Sequence, residues 1–310
     1  MIPHRAFFLV SWFLILLTSG CRSDTGTSRT DSASSASASA VPTPPLPVNT
    51  GWQEDEAGPA LLLSDSASTS SASVVLPSLS DSVLTGTNAF TADSLTGMSF
   101  DLFGRPGSAG PAILTAGSRS SNSEGCVSWP AGTLAGNIQR TWRFGLKRGL
   151  ATAIPLDSLE GMTSADSIQV TTELARLASS LTVSSDPAFE GLPFSVRKAY
   201  RGTVGKKAVL IGDVVRKINE EANPREEHLL LIAERGTASD VPYTAVFQSR
   251  AAGSEEIVRT SEILGALKFL NGRSAIVVSF NYENGGRVAL IERVSDSGWK
   301  LTWRSAYTGC

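Results

Sequence analysis

The sequence contains few of the residues that build catalytic and metal-binding sites. Its 310 residues include three cysteines and two histidines, and His4 lies in an apolar N-terminal segment. His228 is the one histidine in the rest of the chain, which excludes a metal site made of several histidines. The same count requires any Ser-His-Asp arrangement to use His228. The sequence therefore predicts neither a metal nor another cofactor.

An excess of positive charge is also missing. The chain carries 27 Lys and Arg against 29 Asp and Glu, a net charge of −2. Nucleic-acid-binding proteins need a basic face, because they displace the counterions of the phosphate backbone. We therefore expect no nucleic-acid partner.

Apolar runs of membrane-spanning length are absent as well. The longest extends from Phe7 to Leu17, whereas a spanning helix needs about 20 residues. Arg5 precedes this run, and the small residues Thr18-Ser19-Gly20 lead directly to Cys21. A basic start, a short apolar core and a small-residue exit are typical of a secretory signal.

This N-terminal segment resembles the lipobox signal of bacterial lipoproteins. The resemblance implies that residues 1–20 are a signal peptide and that Cys21 is lipidated and becomes the first residue of the mature protein. It further implies a protein held at the membrane by the lipid on Cys21. Its place would be the cell envelope, either at the outer membrane facing the periplasm or at the cell surface.

Two cysteines remain once Cys21 carries lipid. An even number of cysteines in an oxidising compartment favours a disulfide between Cys126 and Cys310. Two separate buried thiols are the alternative. The bridge would tie the C-terminus to the middle of the chain.

Composition divides the rest of the chain into a tether and a folded part. Residues 21–50 contain a Ser/Ala tract followed by VPTPPLP, which is typical of a flexible linker that ends in a stiffer spacer. Residues 51–310 contain enough apolar residues for a core. They predict one β-rich globular domain, with 51–200 and 201–310 as possible halves.

Short apolar runs bounded by Gly, Pro and Ser predict a mainly β fold of antiparallel meanders with one or two helices. Thr163 to Asp166 form a capping box that predicts a helix. Its expected apolar stripe is Ile168, Leu174, Leu177, Ala178 and Leu181. Residues 254–270 fit either a strand or a helix, and a helix there would make the fold α+β.

The last hundred residues contain an internal duplication. LLIAER (230–235) is echoed by ALIER (289–293), and YTAVFQS (243–249) by WKLTWRS (299–305). Each of the later segments alternates large apolar with polar residues, so its aromatic residues should share one strand face. The C-terminal unit resembles a four-stranded β-propeller blade. The resemblance implies a propeller-like arrangement of meanders.

Candidate functional residues are sparse. His228 follows Glu226 and Glu227 at the start of an apolar strand, and paired carboxylates beside a histidine can perform acid–base chemistry. Trp299 and Trp303 could form a platform for a sugar or a peptide, or they could belong to the core.

These observations favour a non-enzymatic role. The first hypothesis is a membrane-anchored envelope lipoprotein with a binding or structural role, whose partner is an envelope protein or a glycan. The alternative hypothesis is a cell-envelope hydrolase of peptidoglycan or polysaccharide that uses carboxylates near 220–227 together with His228.

Overall fold

The computed structural model describes residues 58–65, 68–77, 92–118, 122–123, 126–181, 186–236, 241–296 and 298–310. The expectations for the signal segment, Cys21 and the tether lie outside these residues. In this part of the chain there is one α-helix, α1 (Ser164–Ser180). The strands are β1 (Leu61–Asp65), β2 (Ser68–Val75), β3 (Ser99–Gly104), β4 (Gly107–Gly117), β5 (Asn122–Ser123), β6 (Cys126–Val127), β7 (Ala131–Ala135), β8 (Phe144–Lys147), β9 (Ala151–Ile154), β10 (Leu156–Ser158), β11 (Ser195–Val204), β12 (Lys207–Ile218), β13 (Arg225–Arg235), β14 (Thr244–Ser254), β15 (Thr260–Phe269), β16 (Ser274–Tyr282), β17 (Gly285–Ser295), β18 (Gly298–Arg304) and β19 (Thr308–Gly309).

The strands form three antiparallel sheets, which confirms the mainly β prediction. Strands β1-β2-β7-β4-β3-β8 close into a six-stranded barrel. Strands β10 to β14 form a second sheet in sequence order. The third sheet has the order β5-β6-β19-β17-β16-β15-β9, with β18 also paired to β17. No propeller is seen among the described residues, whose blade-like unit β15–β18 is one meander of this third sheet.

Four layers are packed on one another. We call β11–β14 the first meander and β15–β18 the second meander. Helix α1 packs on one face of the first meander, whose other face packs on the second meander. The remaining face of the second meander packs on the outside of the barrel, and the barrel has its own apolar interior. We call the two faces of each meander the helix-side face and the barrel-side face.

Helix α1 begins where the capping box predicts. The Thr163 side chain accepts a hydrogen bond from the Asp166 backbone N–H, which satisfies one of the free donors of the first turn. Val170, Leu174 and Leu177 are buried against the first meander. The prediction that Ile168 belongs to this stripe is wrong, since 66% of Ile168 is exposed. Two residues correspond to about 200° of helix rotation, which turns residue 168 away from the face that carries Val170.

Residues 254–270 are a turn followed by strand β15. Within β15, Leu267 pairs with Ala275 of β16 and with Ala153 of β9. Pairing on both edges satisfies the backbone of this segment as a strand. The α+β alternative, which depended on a helix here, is therefore not the fold.

A disulfide joins Cys126 and Cys310. Cys126 begins β6, in the connection between barrel strands β4 and β7, and Cys310 follows β19, which pairs with β17 of the second meander. The bond therefore links a barrel connection to the C-terminal sheet.

Candidate functional site

His228 lies inside the molecule and is held by two carboxylates. It is 2% exposed, with Nε2 2.6 Å from Glu226 Oε2 and Nδ1 3.4 Å from Asp213 Oδ1. Burial by itself would lower the pKa of His228, but the two carboxylates outweigh it and raise the pKa above its ordinary value. A carboxylate at each ring nitrogen favours the imidazolium form, which donates from both nitrogens, over the neutral ring that a general base requires.

The hypothesis of an acid–base pair places Glu226 and Glu227 together, but the structure separates them. Adjacent strand residues point to opposite faces. Glu226 meets His228 and Lys217 on the barrel-side face. Glu227 is fully buried on the helix-side face, where its Oε2 lies 2.5 Å from Arg216 Nε and 3.1 Å from Arg250 Nη1. Each carboxylate thus neutralises cations on its own face of the sheet.

Asp213 is the member of this network that was not among the predicted functional residues. Its place in the apolar run AVLIGDVV was the available signal, because a charge inside a buried strand requires a partner. Among the described residues, no group of three or more His, Cys, Asp or Glu side chains is arranged to hold a metal ion.

Trp299 and Trp303 do not form one platform, and the prediction that the aromatics share a strand face is wrong. Leu290 pairs with Trp303 and Ile291 with Leu301, so Thr302 is an extra, bulged residue. The bulge places Trp299 in the core between the meanders and Trp303 on the barrel-side face. Strand β14 has a corresponding bulge, so Tyr243 packs towards α1 and Phe247 between the meanders.

A groove of about 410 Å³ lies where α1 leaves part of the first meander uncovered. Helix residues form one wall, and the end of β13 with the residues that lead into β14 form the other. Its lining residues are Gln169, Val170, Thr172, Glu173, Arg176, Arg201, Leu210, Arg235, Val241, Pro242 and Tyr243. Three arginines and one glutamate give this lining a formal charge of +2.

The charged side chains of the groove differ in how far they are satisfied. Arg176 donates two hydrogen bonds to Glu173, at 2.9 and 2.7 Å, which is the main reason that the pKa of Glu173 is lowered. Among the described residues, the ion pairs of Arg201 are long, 3.5 Å to Asp166 and 3.8 Å to another surface aspartate. The Arg235 guanidinium lies 4.6 Å from the Tyr243 ring centroid.

Arg235 is the side chain of the groove that is best placed to bind a ligand. Within the described ranges it has no carboxylate at ion-pair distance. A guanidinium presents a planar fork of donors that fits a carboxylate with two parallel hydrogen bonds. The arginines of the groove were not among the predicted functional residues. The Glu-Arg step shared by LLIAER and ALIER was the signal that could have found Arg235.

Comparison of the chain with models of known protein families, with curated proteins and with solved structures gives no match. In the part of the chain that the structure describes, no helix is long and apolar enough to cross a membrane.

Proposed function

We propose that this protein is a lipid-anchored envelope protein that binds another envelope component through the groove beside α1. The groove carries the proposal, because it is concave, cationic and open to solvent on a sheet face that α1 covers only in part. Its size is in the range of ligand-binding clefts. Arg235 lines the groove and, among the described residues, has no carboxylate at ion-pair distance.

Two further features support the envelope location. The Cys126–Cys310 disulfide is the kind of bond that persists in oxidising compartments. The lipobox-like segment that ends at Cys21 supplies the anchor, and the Ser/Pro-rich tether gives the folded part reach from the bilayer. A binding protein of this design needs no catalytic residue in the groove.

The anchor is tested by fractionation and mass spectrometry. We expect the mature protein to begin at a lipid-modified Cys21 and to be recovered with the membranes. Cys21→Ala should move it out of the membrane fraction, because the lipid supplies the attachment. A mature protein that still begins at Met1 would contradict the anchor.

The binding role is tested by photo-crosslinking in intact cells. A photoreactive amino acid replaces Val241 at the groove, which is 44% exposed, or Ile113 on barrel strand β4, which is 45% exposed. We expect a discrete envelope adduct from position 241 that is lost in the Arg235→Gln background. Equal adducts from both positions would reject the groove as the binding site.

A further inference from the structure

We infer that the groove binds a carboxylate of an acidic polypeptide segment, whose glutamate or aspartate side chain seats against Arg235 and Tyr243. This inference rests on the proposed function and adds the chemistry of the partner. It follows from a site of the same design that is already occupied inside the molecule.

The occupied site lies between the two meanders. Glu234 extends from the barrel-side face of the first meander and is only 4% exposed. Its Oε1 accepts hydrogen bonds from Arg293 Nε at 2.8 Å and from Trp299 Nε1 at 2.7 Å. Arg293 and Trp299 are cross-strand partners in β17 and β18, on the helix-side face of the second meander. An arginine and an aromatic residue opposite each other thus bind a glutamate from the next layer.

The first meander repeats this pair. Glu234 pairs with Thr244, so Arg235 lies opposite Tyr243, as Arg293 lies opposite Trp299. The shared sequence of the two units produces the match, since Arg235 and Arg293 each end an Ile-(Ala)-Glu-Arg step. Both pairs belong to the helix-side face of their meander. In the second meander that face is covered by the next sheet, whereas in the first it opens into the groove.

The groove adds charge and hydrogen-bonding capacity to the pair. Arg201, on β11 of the same sheet, adds a second cation, whose ion pairs among the described residues are long. The Tyr243 hydroxyl can donate as the indole N–H of Trp299 does, and burial raises the pKa of Tyr243, which keeps its proton in place at neutral pH. An acidic polypeptide is favoured over other anions because the occupant of the matching site is a glutamate on a polypeptide strand.

The test uses the mature lipidated protein in detergent micelles and measures fluorescence anisotropy of acetylated hexaglutamate that carries an uncharged dye. Hexaglutamine and hexagalacturonate, labelled in the same way, distinguish a peptide carboxylate from a peptide backbone and from an acidic glycan. At about 0.15 M salt, where non-specific electrostatic attraction is screened, we expect hexaglutamate to bind saturably and the other two ligands not to bind. Arg235→Gln should weaken hexaglutamate binding about tenfold or more, since hydrogen bonds to charged groups are the strong ones.

Three further variants act as controls. Arg148→Gln removes an exposed arginine near the barrel and should leave the hexaglutamate affinity within about twofold of the wild-type value. Arg235→Lys keeps the charge but loses the planar fork of donors, so its affinity should lie between those of wild type and Arg235→Gln. Arg293→Gln removes the matching internal pair and should lower stability without changing the peptide affinity. Circular dichroism establishes that each variant is folded.

The inference is overturned if wild-type protein shows no saturable binding of hexaglutamate, if Arg235→Gln binds as tightly as Arg148→Gln, or if hexagalacturonate is the ligand that binds. These failures are separate from failure of the proposed function. If position 241 gives a crosslinked adduct but hexaglutamate does not bind, the groove remains the binding site and the carboxylate ligand is rejected. If hexaglutamate binds but no adduct forms in cells, the proposed envelope partner is rejected.

Discussion

At the residue scale, the decisive features are charges held inside strands. His228 shows why a lone histidine next to two glutamates is a weak signal for catalysis, because its carboxylate neighbours favour the charged ring and raise its pKa. The Asp213–His228–Glu226 network joins β12 to β13 on the face that packs against the second meander. Removing His228 takes away the cation that Asp213 and Glu226 share, so that Asp213 keeps only the 3.6 Å ion pair to Arg197 and Glu226 keeps Lys217 among the described residues.

His228→Gln should therefore lower the free energy of unfolding, by about 3 kcal/mol near pH 6. The folded-state pKa of His228 is raised, so its contribution is fully present below about pH 6.5, the unfolded value. It is lost as the pH rises through the folded pKa. Urea unfolding from about pH 5 to pH 9 should show wild type and variant converging at high pH. A difference that stays constant over this range would argue against the buried imidazolium.

At the element scale, α1 shows how one helix both stabilises the first meander and leaves the groove open. Leu174 is fully buried and lies over Gly212 of β12, where an added Cβ would come within 2.9 Å of both Leu174 methyl groups. The absence of a side chain at Gly212 lets the helix approach the sheet closely. The same helix supplies Glu173 and Arg176 to the groove.

Leu174→Ala should cost about 3 kcal/mol of unfolding free energy, because it removes a buried side chain from a packed interface. Ile168→Ala on the same helix is the matched control, since Ile168 is largely exposed, and we expect a change within about 0.5 kcal/mol. Both are measured by urea unfolding. Equal effects would mean that α1 does not pack on the sheet through the Leu174 face.

At the scale of the whole molecule, the disulfide connects layers that are distant in sequence. Cys126 and Cys310 are 184 residues apart. Closing so long a loop lowers the conformational entropy of the unfolded chain, which on the chain-entropy model stabilises the folded state by about 5 kcal/mol. A double Cys126→Ser, Cys310→Ser variant should lose about 2–5 kcal/mol of stability. Peptide mapping without reduction should recover the two cysteines in one linked fragment. Quantitative alkylation of both thiols in unreduced protein would contradict the bond.

Much of the fold could be predicted from short-range signals. Runs of apolar residues between turn residues indicate the strands, and the Thr163 capping box indicates the start of α1, because these patterns depend on neighbours within a few residues. The duplication was visible for the same reason, since both meanders keep the Glu-Arg step and the aromatic spacing. Barrel closure was not predictable, since it depends on β1 pairing with β8, about 80 residues away along the chain.

The sequence by itself determined the alternation of strands and turns, helix α1, and the two cysteines beyond Cys21 that can pair with each other. Only the tertiary structure decided what the candidate residues do. Bulges at Val246 and Thr302 shift the register by one residue and send Tyr243 and Phe247, and likewise Trp299 and Trp303, to opposite faces. The stacking of the two meanders then pairs Arg293 with the buried Glu234, whereas Arg235 lines the groove with no carboxylate at ion-pair distance among the described residues. The same Glu-Arg step thus supplies an ion pair between the two meanders in one case and a candidate binding site in the other. The reason is that the first meander covers the helix-side face of the second, whereas α1 covers the helix-side face of the first only in part.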